Sequence, residues 1–387
     1  MSIATNSKFN IKIDFDKSHD SFLYDKNTER EYLDFFGMYA SLPLGYNHKI
    51  FQTEEFKNEI LSTSAFKINN CEFVSDETLE FDRLFSEYAG NGNYKHFHYC
   101  CTGALAVEAA IKACLQYKNF HSPKIISFNN SFHGVNSYGG FVTSRFWPAN
   151  LKLDGFPEIL SCKLAASLKR VEEELIKSPT TCILVEPIQC SAGDIHLRKE
   201  FLVGLRALAD SYDVPLVFDE IQIGFGATGK LWYYEHLDIE PDILIFGKKT
   251  QLSGIMAKDK HSQIFRKNNI TRLDVTWNSD VVDMVRCKHI IKAYKKYNIL
   301  ENVENISQVL ISSLEKNKKI KNLRNAGLII GFDLENTQSR NKFVKDLYDV
   351  GLLCNSTGRR SIRLRPNLNL TLEEAELAIE KINKISK

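Results

Sequence analysis

VPLVFDE at residues 214–220 and DILIFGK at residues 242–248 decide how this chain folds. Each is a short apolar run, rich in Val, Ile and Leu, that ends at a charged side chain: Asp219 in the first, Lys248 in the second. Strands buried on both faces read as continuous apolar runs, and such strands belong to parallel sheets covered by helices. Working outward, HFHYC (96–100), KIISF (124–128) and CILVE (182–186) read as further strands. Helical patterns lie between them. Val107, Ala110, Ile111, Cys114 and Leu115 share a face, as do Leu168, Val171 and Leu175 within 165–177, and Phe201, Leu202, Leu205, Leu208 and Tyr212 within 199–212. The alternation predicts an α/β fold whose mostly parallel sheet is covered by helices. Glu186, Asp219 and Lys248 stand just past the carboxyl ends of their strands, the edge at which open α/β sheets bind ligands.

From about residue 284 the texture changes. Two amphipathic helices are expected, then a strand in GLIIGFDLE (327–335), a helix, a strand in SIRLR (361–365), and a last helix opened by Thr371 and Glu374 in capping-box spacing. This predicts a smaller α+β domain over 284–387, a large domain over 41–283, and an N-terminal segment, 1–40, packing on the small domain. A chain of 387 residues is long enough for two domains with a cleft between them. Hydrophobic residues are 43% and charged residues 25%, an ordinary globular balance. A net charge of +2, with both signs mixed along the chain, offers no basic stripe for nucleic acid. No apolar run reaches the ~18 residues of a membrane span. MSIATNSKFNIKIDFDK at the N-terminus lacks the apolar centre of a signal peptide, so a cytoplasmic location is expected. Nine scattered cysteines read as reduced thiols. His96, His98 and Cys100 alternate and would face one way on a strand, but no further ligand pattern completes a metal site.

The sheet edge carries the chemistry. Thr102-Gly103-Ala104 joins a strand to a helix, and a helix N-terminus with a hydroxyl and a glycine can hold phosphate through free N–H groups. Each piece also has a plain structural reading: Gly103 as a tight connection, Phe132 in Ser131-Phe132-His133-Gly134 as core, Asp219 as a loop cap. Together they suit a flat cofactor. Phe132 could cover a ring, Asp219 could keep a pyridinium nitrogen protonated, and Gln222 could donate to a phenolate oxygen. A lysine at the end of a buried strand can form a Schiff base with an aldehyde cofactor. Lys248 is favoured over its neighbour Lys249 because Gly247 precedes it.

CTGALAVEAAIK (101–112), SFHG (131–134), EPIQCSAGD (186–194), FDEIQIGFGATG (218–229) and FGKKTQLSG (246–254) occur in the order found in the class III, or omega, aminotransferases, and the chain resembles that family from about residue 30 onward. SLPLGYNH (41–48), FGKKTQ and DVTWNSDVVDMVR (274–286) are similar to its lysine 6-aminotransferase branch. The resemblance implies fold type I and pyridoxal 5'-phosphate, with an amino group moving from a terminal amine, lysine-like, to a 2-oxo acid such as 2-oxoglutarate. It carries the cofactor lysine onto Lys248, the ring-nitrogen acid onto Asp219, the stacking aromatic onto Phe132, the phosphate loop onto Thr102, Gly103 and Ala104, and the ring-oxygen glutamine onto Gln222. It also implies a homodimer in which Thr276 of one subunit binds the phosphate held by the other. The substrate-carboxylate arginine falls on Arg363 of IRLRPNL, where Arg363 and Arg365 share one strand face.

The chain departs from the family around the substrate. Ala227 stands for a common arginine, Ser191 for a glutamate that neutralises the carboxylate arginine, and Val135 for an arginine after F-H-G; the stretch 135–185 is also short. Other readings compete. The same cofactor serves aminomutases, racemases and decarboxylases, since the pocket selects the bond that breaks. Gly224-Phe225-Gly226-Ala227-Thr228-Gly229 spells the dinucleotide pattern of a nicotinamide oxidoreductase. However, Asp219 to Ile223 separate it from the strand, and no helix pattern opens at its third glycine.

Overall fold

The two decisive runs are neighbours in one sheet. Leu216–Asp219 and Ile243–Phe246 pair in parallel, with Ile245 opposite Asp219. The computed structural model describes residues 9–119, 124–144, 159–162, 168–265 and 273–386. Within these, the central sheet has seven strands in the order His96–Cys100, Ser253–Ala257, Ile243–Phe246, Leu216–Asp219, Thr180–Val185, Lys124–Phe128, Ile159–Cys162. All run parallel except Ser253–Ala257, which is antiparallel to both its neighbours. Ile243, Leu244, Ile245 and Phe246 are each 0% exposed, which is why their sequence shows no alternation. Burying a side chain of this kind stabilises the fold by roughly 1.5–3 kcal/mol.

The helix Gly103–Lys118 covers the sheet, packing on Ser253–Ala257 and Ile243–Phe246. Its buried face is mostly alanine, so it lies close to the strands, and Thr102 caps its start by accepting from the N–H of Leu105. Asn119 ends it in the left-handed conformation. The helices expected over 165–177 and 199–212 appear as Leu168–Lys177 and Lys199–Ser211; residues 165–167 lie outside the described residues.

The C-terminal part holds an antiparallel four-stranded sheet, ordered Lys321–Ala326, Ile329–Asp333, Ser361–Leu364, Asn355–Thr357. Leu372–Ile385 starts at the expected capping box: Thr371 Oγ1 accepts from Glu374 N, and Glu374 Oε2 accepts from Thr371 N. The first helix of this part corrects the expectation of amphipathicity. Val281–Lys296 buries ten of its sixteen residues, Lys288 and His289 among them. Lys288 Nζ donates to Glu59 at 2.8 Å and to Glu80 at 2.6 Å, so carboxylates from two distant helices make its burial tolerable. The expected boundary at 283/284 falls inside this helix, which packs on Glu54–Ser64 and Asp76–Ala89. Near the N-terminus, Phe22–Asp25 and Arg30–Asp34 form a small sheet with Leu352–Leu353.

A turn after Arg30–Asp34 is unusual. Gly37, Met38, Tyr39 and Ala40 all have positive φ, 55°, 49°, 59° and 68°. For residues other than glycine this costs roughly 1–2 kcal/mol each, so the surroundings must impose it. Asp34 Oδ1 accepts from the N–H groups of Phe36 and Gly37 at 2.8 and 2.9 Å. Arg365 N donates to Phe35 O at 2.7 Å, and a Cβ on Gly37 would meet Arg365 O at 2.2 Å, so only glycine fits there. Among the described helices none is long and apolar enough to cross a membrane. Cys71, Cys100, Cys101, Cys114, Cys182, Cys190 and Cys287 are free thiols.

Candidate active site

At the carboxyl edge of the central sheet lies a cavity of about 310 Å³, within the usual size of a small-molecule site. Three strand ends, one loop and one helix start build it. Gly103 and Ala104 come from the start of Gly103–Lys118, Phe132 to Val135 from the loop after Lys124–Phe128, Glu186 from the end of Thr180–Val185, Asp219 from Leu216–Asp219, and Lys248 from just beyond Ile243–Phe246. Of the residues singled out in the sequence, Gly103, Ala104, Phe132, Asp219, Gln222 and Lys248 all line this one cavity. Thr102 stands beside it as the cap of the helix. Gly134, at φ +97°, turns the loop so closely past the helix that a Cβ there would lie 3.2 Å from that of Ala104.

Two lysines competed in the sequence, and geometry separates them. Lys249 Nζ is turned away and donates to the main-chain oxygen of Gln222 at 2.9 Å. Lys248 lines the cavity. Burial holds the Lys248 ammonium below the ordinary lysine value and the charge of Arg363 adds to this, while Asp219, Cys190 and Glu186 oppose it. Burial likewise lowers Lys249, to about 7.

Asp219 is 6% exposed. His133 Nδ1 lies 2.8 Å from its Oδ2, and Oδ1 accepts from Ile221 N at 3.2 Å. Glu186 accepts from Phe132 N at 2.7 Å. Its carboxyl is pushed well above the usual range, first by burial and then by the charge of Asp219. Nothing local to SFHG announces a role for His133, because its contact with Asp219 joins two segments 86 positions apart.

Behind Gln222 stands a pair of arginines. Arg365 is 2% exposed and pairs with Asp194, itself 0% exposed, at 2.5 Å. Arg363, 7% exposed, has two neutral hydrogen-bond partners among the described residues, Cys190 O at 3.2 Å and Gln222 Oε1 at 3.4 Å. Neither is a solvated strand arginine. Arg365 Nε also donates to Gln222 Oε1, at 3.3 Å. Because guanidinium groups only donate, Gln222 must turn its oxygen to them and its NH₂ group away, free to donate elsewhere. Ser191 lines the cavity with its hydroxyl buried and unpartnered, and Val135 lines it half in solvent. Thr276 is not among the cavity residues of its own chain; it is exposed, in a segment tied to residue 70 by Asn278 N donating to Asn70 Oδ1 at 3.1 Å.

Two side patterns resolve differently. Gly224 to Gly229 opens no helix; Gly224 packs on Trp232, and Gly226 on Tyr294 and Leu300. On the strand His96–Cys100, His96 Nε2 sits 2.8 Å from Asp259, while burial lowers His98 to about 4.

A helix start for an anionic tail, an aromatic beside a flat space, a fixed carboxylate and a buried amine form the donor set that pyridoxal phosphate needs, and the residues present fit it. Comparison with known proteins points the same way. Residues 3–386 match the family model described as aminotransferase class-III. An L-lysine-epsilon aminotransferase of Mycobacterium tuberculosis is 30% identical over 409 residues, covering 96% of this chain and 91% of the relative. A 4-aminobutyrate aminotransferase of Schizosaccharomyces pombe is 27% identical, covering 98% and 90%. The solved structure of a lysine aminotransferase from M. tuberculosis superposes with a TM-score of 0.92 at 28% identity, covering 100% of this chain and 97% of that one.

Proposed function

Because the chain belongs to the class III aminotransferases, pyridoxal phosphate enzymes of fold type I, we propose that it moves the terminal amino group of a lysine-like donor to a 2-oxo acid, with Lys248 as its working amine. The observation that carries this reading is the buried Lys248 amine in the same cavity as Asp219 and the helix start at Gly103 and Ala104. Bound there, pyridoxal phosphate supplies an aldehyde for amines and a cationic ring that accepts the electron pair left by a departing proton. Thr102, Gly103 and Ala104 would hold the phosphate, Phe132 would cover the ring, and the Gln222 NH₂ group would meet the ring oxygen. Asp219, steadied by His133 and Ile221, would keep the ring nitrogen protonated. Lys248 would hold the cofactor, and its amine, once freed, would be the base that takes the proton from the substrate carbon and the acid that gives it back. Arg363 receives a substrate carboxylate, since it is the arginine of the pair without an anionic partner of its own.

Borohydride reduction of the holoenzyme followed by peptide mapping tests the assignment. The cofactor's mass is expected on Lys248. A label on Lys249, or none, would overturn it.

We also propose a homodimer with shared sites and a cytoplasmic location. No residue of the helix Glu54–Ser64 is fully buried, and Leu61, Phe66, Phe73, Val74, Val275 and Trp277 are 49–73% exposed. Large exposed side chains concentrated around the Thr276 segment suit a second copy of the chain. Thr276→Ala and Lys248→Ala are each expected to be impaired, while mixed dimers of the two regain one intact site. A fully active monomer by light scattering would refute the shared site.

A further inference from the structure

The buried ion pair behind the cavity has no part in the chemistry described so far. Asp194 is 0% exposed, and its Oδ2 has no hydrogen-bond partner among the described residues, a costly state for a buried carboxylate. Its surroundings are built to keep it there. Gly193 and Asp194 form a left-handed turn, at φ 118° and 52°, and both their carbonyls accept from Arg324 Nε at 2.9 Å. On the strand Ile329–Asp333, a Cβ at Gly331 would come within 2.7 Å of Asp194 Oδ2, so glycine makes the room. Asp194 Oδ1 in turn holds Arg365, which follows the strand Ser361–Leu364. Arg365 Nη1 donates to Leu364 O at 2.9 Å and to Ile330 O at 3.1 Å, which fixes the guanidinium with its Nε turned to Gln222 Oε1. Apolar groups in place of such a pair are often neutral for stability, so its retention points to a role beyond folding.

That role lies at Gln222. Its main-chain oxygen is already held by Lys249 Nζ at 2.9 Å, so what is left to settle is which way the side-chain amide faces. With its NH₂ group toward Arg365, donors would face donors and the buried Nε would lose its acceptor. The amide is therefore locked with its oxygen inward. Arg363 Nη1 also donates to Gln222 Oε1, at 3.4 Å, but the proposed function gives Arg363 to a substrate carboxylate, so it is not always there for the amide. Arg365 stays committed to Asp194. We propose that Arg365 and Asp194 are positioning residues: their ion pair keeps the Gln222 NH₂ group aimed at the cofactor's ring oxygen while one substrate replaces another. The other charged or titratable groups here are Arg363, Lys249 and Cys190 beside the pair, and Lys248, Asp219, Glu186 and His133, which line the cavity with Gln222. All of them stay unaltered in the test. The proposal rests on the reading of the cavity as a pyridoxal phosphate site.

The test reads the pH midpoint of the holoenzyme's visible absorbance. A donor on the ring oxygen stabilises its negative charge most when the nitrogen joining the cofactor to Lys248 has lost its proton, so losing the donor raises the midpoint. Gln222→Met removes the donor at similar size and should raise it by about half a unit to one unit, the worth of one hydrogen bond. Asp194→Asn together with Arg365→Met removes the pair without changing net charge, and asparagine suits the left-handed turn. This variant should raise the midpoint by most of the same amount, and should add nothing in the Gln222→Met background. Arg365→Lys keeps the charge but lacks the fork that reaches both Asp194 and Gln222, so it should also raise the midpoint; where the pair variant does not fold by circular dichroism, it decides. An unmoved midpoint in the folded variant would overturn the proposal, and so would a shift that adds to that of Gln222→Met. If Gln222→Met itself leaves the midpoint in place, the position of Gln222 at the ring oxygen fails, and the role of the pair with it. If the unaltered protein takes up no cofactor absorbance at all, the reading of the cavity fails first.

Discussion

Lys248→Ala is expected to remove turnover while leaving a folded protein that still binds the cofactor without a covalent bond. The loss should be at least about 10³-fold, because the variant lacks both the covalent anchor and the proton carrier, and a positioned acid–base group alone contributes about 10²–10⁴. Lys249 cannot stand in. Its amine is committed to the Gln222 carbonyl at 2.9 Å and is buried away from the cavity. The unaltered protein should show the matching pH signature. Burial lowers the Lys248 pKa from its ordinary 10.5, so the reactive neutral amine is present at a lower pH than on a solvated lysine. Capture of added pyridoxal phosphate by cofactor-free protein should therefore speed up as pH rises through that lowered value. Turnover and absorbance of the variant, with circular dichroism as the check on folding, decide the matter. Retention of more than about a tenth of the activity would show that another amine performs the transfer, since one group of this kind accounts for at least two powers of ten.

The large sheet was legible because its strands are buried on both faces, and continuous runs such as LVF and ILIF leave few other readings. The polar residues that end those runs were legible for the same reason: Asp219 and Lys248 are conspicuous against four apolar neighbours. Ser253–Ala257 was not read as a strand. SGIMA is short, begins with small residues, and gains its place only by pairing with His96–Cys100 and Ile243–Phe246 at once. Lys288 and His289 misled the reading of Val281–Lys296 because their partner Glu59 is more than 220 positions away. Asp194 and Arg365 are 171 positions apart, and nothing local in either segment announces the pair. The turn from Gly37 to Ala40 was silent for a different reason. Met, Tyr and Ala carry no preference for a left-handed turn; the Asp34 carboxylate and the backbone of Arg365 impose it from outside.

Asp219→Asn should lower turnover by about 10²–10³-fold, the usual effect of removing one preorganised electrostatic partner from a reacting group. Asparagine keeps the shape of the side chain and can still accept from Ile221 N, whose bond to Oδ1 is 3.2 Å in the unaltered protein. It lacks the charge, and the charge is what favours a proton on the ring nitrogen. Nearby carboxyls do not compensate. Glu186 lines the same cavity, yet burial raises its pKa and disfavours its charged form, and the Phe132 N–H already occupies one of its oxygens at 2.7 Å. Taking away the Asp219 charge would even ease the ionisation of Glu186, because that charge is the second cause holding its pKa up. A new anion at Glu186 would stand at a different strand end, away from the His133 contact that fixes Asp219 at 2.8 Å. Stability should change little, since the amide can keep its oxygen toward Ile221 N and turn its NH₂ toward His133 Nδ1, which accepts in the other tautomer; a Tm within a few degrees of the unaltered protein is expected. The cofactor should remain trapped on Lys248 by borohydride, which separates lost chemistry from lost binding. If Asp219→Asn turns over at nearly the normal rate, the carboxylate serves only to cap the loop at Ile221, and the ring nitrogen must find its proton elsewhere.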